Sequence, residues 1–159
     1  MPQIDLKNTT ITLRDAGVNS LVVKVANGVF NWSETKNRKY VTAREDLDTV
    51  VDEVATPVEI RFDLIWEFLR ASAGSGTPTP HDVMKNRGEA AAWVSTDADI
   101  CAPFSIDVEL VHNPGCAGVQ SETILFSDFR YEKLEQDPKA GTLSVSGKCN
   151  QVEPTVTRS

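Results

Sequence analysis

From Pro57 to Leu69 the chain reads PVEIRFDLIWEFL, and over most of this stretch apolar and polar residues alternate. Val58, Ile60, Phe62, Leu64 and Trp66 fall on one face at a period of two, while Glu59, Arg61, Asp63 and Ile65 fall on the other. Helical spacing would scatter those apolar side chains around a cylinder, whereas a period of two gathers them into one wall. The stretch predicts a long strand buried on one side, and the strands that pair with it must come from elsewhere in the chain.

The same alternation recurs in FSIDVELV, where Phe104, Ile106, Val108 and Leu110 would face a core and Ser105, Asp107 and Glu109 would face away. Shorter runs predict strands at Ile4 to Leu6, Thr9 to Leu13, Leu21 to Val25, Val29 to Glu34, Ala90 to Trp93, Glu122 to Phe126, Phe129 to Glu132 and Leu143 to Ser146. Asn27-Gly28 predicts a type I′ hairpin turn between two of them, since both residues tolerate positive φ. Further turn signals stand at Asp128, Asp137-Pro138 and Ala140-Gly141. One helix is expected, from Pro80 to Asn86: Thr79 can cap it, Pro80 loses nothing at its first position, and Gly88 stops it. The glycine- and proline-rich stretch before it, Ala71 to Pro80, predicts a flexible loop.

Thr35 to Thr56 is less regular. Lys36, Arg38 and Lys39 read as a solvated loop, or as an electrostatic contact with an acidic partner surface. Leu47, Val50, Val51 and Val54 suit helical spacing, yet their β-branched surroundings leave an irregular strand equally open. The expected fold is one domain spanning residues 1 to 159. It is mainly β, an antiparallel sandwich or barrel with one flanking α-helix, and its polar tail from about Asn150 is expected to be mobile.

A formal net charge of -7 argues against a protein that grips phosphate backbones, because that affinity comes from clustered Lys and Arg. No apolar run approaches the roughly 20 residues that span a bilayer, so no membrane role is expected. The first residues, MPQIDLKNTTITL, have neither the basic head nor the apolar segment of an export signal, which makes the cytoplasm the default site of synthesis. Cys101, Cys116 and Cys149 are too widely spaced for a CxxC motif. They fit reduced structural thiols; a Cys3His metal site with His112, or a single disulfide, are the alternatives.

Candidate chemistry is sparse. His81 reads as a first-turn helix residue and His112 as part of an HNPG turn, and neither stands in a catalytic signature. Carboxylates such as Glu59 and Asp63, or Asp107 and Glu109, lie two or four residues apart on polar strand faces, as an exposed sheet face requires without catalysis. Trp32 and Trp66 are in phase with apolar faces, which favours packing over a sugar platform. No enzyme and no cofactor are expected.

The order of these elements resembles the tail tube, or major tail, proteins of long-tailed bacteriophages. The resemblance is carried by LVVKVANGVFNWSE, PVEIRFDLIWEFL, the Gly-Pro-rich loop before TPHDVM, APFSIDVELV, and ETILFSDFRYEKL followed by GTLSVSGKCN, and it covers nearly the whole chain. It implies a structural virion protein assembled in the bacterial host cytoplasm. Six-membered rings of such subunits stack into a hollow tube around the tape-measure protein, meet the tail terminator and the tail-tip or baseplate proteins, and pass DNA without binding it specifically. It further implies a long hairpin lining the lumen. The candidates for that hairpin are the central strand and Phe104 to Val111, which offer Glu59, Asp63, Asp107 and Glu109 against a single Arg61. The alternatives are a related ring component, such as a tail terminator or secretion-tube protein, and a monomeric β-sandwich module binding a sugar or protein ligand.

Overall fold

The computed structural model describes residues 9–23, 25–65, 78–113, 115, 118 and 120–158. Ten strands occur among them: β1 (Thr9–Arg14), β2 (Ser20–Val23), β3 (Val25–Ser33), β4 (Arg38–Ala43), β5 (Asp46–Asp52), β6 (Glu59–Ile65), β7 (Ile106–His112), β8 (Glu122–Asp137), β9 (Thr142–Cys149) and β10 (Thr155–Arg158). The lone helix among the described residues is α1 (Pro80–Lys85). The protein is therefore mainly β, and every strand pair in it is antiparallel.

The alternation of the central strand is realised residue by residue. Ile60, Phe62 and Leu64 of β6 are buried, while Glu59, Arg61 and Ile65 are exposed. Fully burying a side chain such as Phe62 contributes about 2 to 3 kcal/mol, so this one face anchors a large share of the core. β7 follows the same rule with Ile106, Val108 and Leu110 inside, but it begins only at Ile106, and Ser105, expected to face away, is fully buried. Trp66 and Ile4 to Leu6 lie outside the described residues.

The main sheet runs in the order β2-β1-β7-β8-β9-β6-β3, with β10 added along the first part of β8. It does not lie flat. Phe30 of β3 and Phe126 of β8, three places apart in that order, bring their rings to 6.0 Å, and Trp32 meets Phe126 edge-on at 5.4 Å. The sheet thus curls until residues from both ends of its order, Val23 and Phe30 among them, join one apolar cluster.

α1 lies where its caps predict. The Thr79 hydroxyl accepts the Asp82 N–H at 3.3 Å, and Asn86 takes a left-handed conformation (φ 51°) that ends the helix. Its buried side, Pro80, Val83 and Met84, packs on the core.

Four local expectations are corrected. Asn27-Gly28 is not a hairpin turn: β2 pairs with β1, β3 pairs with β6, and β3 runs through these residues. Three β3 residues more than β6 needs fit between Val25 and Phe30 as an irregularity, so long-range pairing overrides the local turn propensity. Asp128 is likewise a bulge inside the 16-residue β8, where it adopts φ 56° opposite Asp107. Ala90 to Trp93 is not a strand. Gly88 at φ 60° opens a short 3₁₀ turn, Gly88–Ala90, and the Ala91 and Trp93 amides bond back to the Gly88 and Ala90 carbonyls. Finally, Arg38 and Lys39 lie in a strand, not a loop, and of the two readings left open for the acidic half the irregular strand holds and the helix does not: Thr35 to Thr56 carries the separate hairpin β4–β5. The polar tail supplies β10, in register with Glu122 to Leu125.

Candidate functional site

The four acidic residues singled out in the sequence are not brought together by one hairpin. β6 and β7 are separated in the sheet by β8 and β9, and the long hairpin of the molecule is β8–β9. Glu59 and Asp63 belong to one surface, Asp107 and Glu109 to another that β7 shares with β1. Glu109 accepts a hydrogen bond from the Arg14 guanidinium at 3.2 Å.

Residues paired across antiparallel strands share a face, so the outer surface of β8-β9-β6-β3 can be read in rows. Asn31, Arg61, Ser146 and Lys133 make one row, Asp63, Ser144 and Glu135 the next, and Ile65, Thr142 and Asp137 a third. At the near end Lys148 lies 3.7 Å from both Glu59 and Glu132. The surface is of mixed charge, because β8 and β9 add Lys133 and Lys148 to the Arg61 visible in the central strand alone. A shallow polar groove of about 370 Å³ runs along it, with Glu59, Arg61, Glu132 and Lys148 in its lining.

Both lateral edges of this four-stranded region are open among the described residues. Tyr131 to Asp137 of β8 pair on one side only, with β9, and β3 pairs only with β6. Backbone donors and acceptors along such edges form a template for another strand.

The hairpin β4–β5 exposes every one of its residues. Tyr40 sits opposite Val50 on one face, Lys39 opposite Val51 on the other, and Thr42 opposite Leu47 beyond a bulge. Tyr40, Leu47, Val50 and Val51 are among the largest apolar groups left in solvent. At its base Asn37 ties the two arms: its carbonyl accepts the Glu53 N–H at 2.8 Å, and its side-chain amide donates to the Val54 carbonyl and to Thr56. The basic patch is part of this hairpin, with Lys36 and Arg38 both facing Asp52, at 3.7 and 3.5 Å.

The remaining candidates are dispersed. His112 closes β7 and is buried, its Nδ1 3.2 Å from the Thr9 hydroxyl. His81 is half-buried and its Nδ1 lies 2.7 Å from an Arg87 nitrogen; burial and then the Arg87 charge hold its pKa below the ordinary 6.5. Cys101 is an exposed free thiol, whereas Cys149 is buried and pushed up to about 12 by burial and then by the charges of Asp107 and Asp128. Cys116 lies outside the described residues. Among the described residues no group of three or more His, Cys, Asp and Glu is placed to hold a metal ion, and no helix is long and apolar enough to cross a membrane.

What these surfaces offer chemically is association. The open edges supply backbone pairing, and the hairpin supplies apolar side chains that water disfavours. Compared with known proteins, the chain matches no family model and no curated protein is detectably similar to it.

Proposed function

We propose that the chain is a self-assembling structural subunit of the tail-tube type, forming hexameric rings that stack into a hollow tube through which phage DNA is delivered. The observation that carries this reading is β4–β5, a two-stranded hairpin whose residues are all exposed, with apolar groups among them. An isolated two-stranded hairpin is marginal in water, so a stable role for this one requires a covering surface. In the proposed tube that surface is the subunit of the next ring. The open edges of β8 and β3 meet their counterparts in neighbouring subunits of the same ring, which removes both edges at once.

The outer face of β8-β9-β6-β3 then lines the channel. Glu59 and Asp63 lie on it together with Glu132 and Glu135, partly balanced by Arg61, Lys133 and Lys148. Such a lining, in a protein of net charge -7, lets DNA slide without being trapped. Asp107 and Glu109 belong to the β1–β7 side and take no part in that lining. The mainly-β antiparallel fold, curled round one core, agrees with the β-sandwich or barrel of such subunits.

Sedimentation velocity over a concentration series tests the proposal. Species of six subunits and larger, growing with concentration, support it; a monomer at every concentration, in both low and moderate salt, argues against it.

A further inference from the structure

The bulge in β8 places two carboxylates beside each other. Asp107 of β7 stands opposite both Ser127 and Asp128, and its Oδ1 accepts the Asp128 N–H at 3.1 Å. The Asp128 carboxylate in turn accepts the Thr96 hydroxyl at 2.7 Å, and its carbonyl accepts the Asn150 N–H at 3.4 Å. Thr96 is the second residue of a strap, Ser95 to Ser105, that closes on itself: Thr96 N–H bonds to the Ser105 carbonyl, and Ser105 N–H to the Ser95 hydroxyl. A second pin holds the strap through Arg130, which donates to Asp97 at 2.6 Å and to the Pro103 carbonyl at 2.9 Å.

Protons are short in this cluster. Thr96 has a single hydroxyl proton, for which the carboxylates of Asp107 and Asp128 compete, while the Ser105 hydroxyl at 2.8 Å can donate to the Thr96 oxygen. The nearby cations are committed elsewhere: Arg14, the register partner of Asp107 on β1, reaches Glu109, and Arg130 of β8 reaches Asp97. Glu109 on the same strand adds negative charge, and from β9 the Cys149 thiol adds no positive one.

We infer that Asp107 and Asp128 form a proton-operated latch for the Ser95–Ser105 strap. With both ionised, they repel across the bulge and compete for one hydroxyl. With a proton on Asp107, its carboxyl donates to Asp128, the repulsion ends, and Thr96 is left to fasten the strap. The direction follows from the surroundings of Asp107. Burial raises its pKa above the ordinary 3.8, the charges of Asp128 and Glu109 add to the rise, and the hydrogen bonds from the Asp128 N–H and Thr96 offset only part of it. The folded state therefore binds this proton more readily than the unfolded one. The contribution to stability is gained as pH falls through the raised value and lost as pH rises through it.

Asp107→Asn imitates the protonated state, keeping an acceptor for the Asp128 N–H and adding a donor toward the Asp128 carboxylate. Near neutral pH it is expected to raise Tm by about 2–4 °C, with the gap from wild type closing as pH falls through the raised Asp107 titration. Hydrogen exchange of the Thr96, Asp97 and Asp128 amides, corrected for the intrinsic rate, is expected to slow in wild type on the same descent and to stay constant in the variant. Thr96→Val should leave the strap weakly protected on both sides of that titration. The inference is overturned if Asp107→Asn lowers Tm equally on both sides of it, or if strap protection in wild type is indifferent to pH. Should the Asn variant not fold, the ¹³C carboxyl titration of wild-type Asp107 decides: a midpoint above 3.8 supports the latch, and one at or below it removes the latch.

Discussion

A Cβ placed on Gly147 would stand 2.8 Å from the Tyr131 Cα, and closer still to the Arg130 carbonyl oxygen. Glycine is required here because β8 and β9 close tightly at a second bulge, where Tyr131 pairs with Gly147 and Lys133 with Ser146, leaving Glu132 extra. The obstacle is the backbone of β8, and it cannot move aside as a side chain would. Gly147→Ala is therefore expected to destabilise the fold by about 3 kcal/mol, read as a lowered midpoint in urea. An unchanged midpoint would mean that the two strands separate here at no cost.

Asp15 ties the turn after β1 to the chain after α1. Its carboxylate accepts the Gly17, Asn19 and Val94 N–H groups at 2.9, 3.0 and 3.0 Å, and the Asn19 side-chain amide at 2.7 Å. Burial alone would raise its pKa, but these donors outweigh burial and hold it below the ordinary 3.8. A depressed carboxylate contributes stability above its unfolded value, and that contribution is lost as pH falls through the folded one. Asp15→Ala should cost about 3 kcal/mol near neutral pH, with the deficit shrinking below about pH 4. A deficit independent of pH would contradict the assignment.

The part of this architecture legible in the sequence is the part governed by local rules. The period of two in β6 and β7, the Thr79 cap of α1 and the turn before Gly141 are fixed by neighbours in the chain, and the structure places them as read. Asn27-Gly28 misled because its turn chemistry is real but β2 and β3 find better partners in β1 and β6. Asp128 looked like a turn for the same reason: a residue that tolerates positive φ serves a bulge equally well. The grouping of β6 with β7 failed because strand order is a long-range property. No residue in either strand reports that β8 and β9 lie between them, so the charges of Lys133 and Lys148 were left out of the candidate surface.

The thiols separate by exposure. Cys101 is open to solvent, while Cys149 is 1% exposed and its thiol sits at about 12. At about pH 8 only about one Cys149 in ten thousand would be thiolate, the reactive form. Alkylation of the native protein followed by peptide mass spectrometry should modify Cys101 and spare Cys149 until denaturant is added. Equal labelling of both in the native state would contradict the burial of β9 at its end.

Substitution of the hairpin separates folding from assembly. Val50→Glu with Val51→Glu places charge on both faces of β4–β5, at positions already about half exposed. The monomer should keep its stability within about 0.5 kcal/mol, because nothing in the core is touched, while species larger than a single ring disappear. Loss of the monomer's own fold would instead make the hairpin part of the core's support.

Negative-stain electron microscopy of the purified chain over a rising concentration series tests the central proposal most directly. Hollow six-fold rings stacking into tubes are the predicted result, with rings but no tubes from the Val50→Glu, Val51→Glu variant. Single compact particles at every concentration, identical in the wild type and the variant, would contradict self-assembly through the hairpin and the open strand edges.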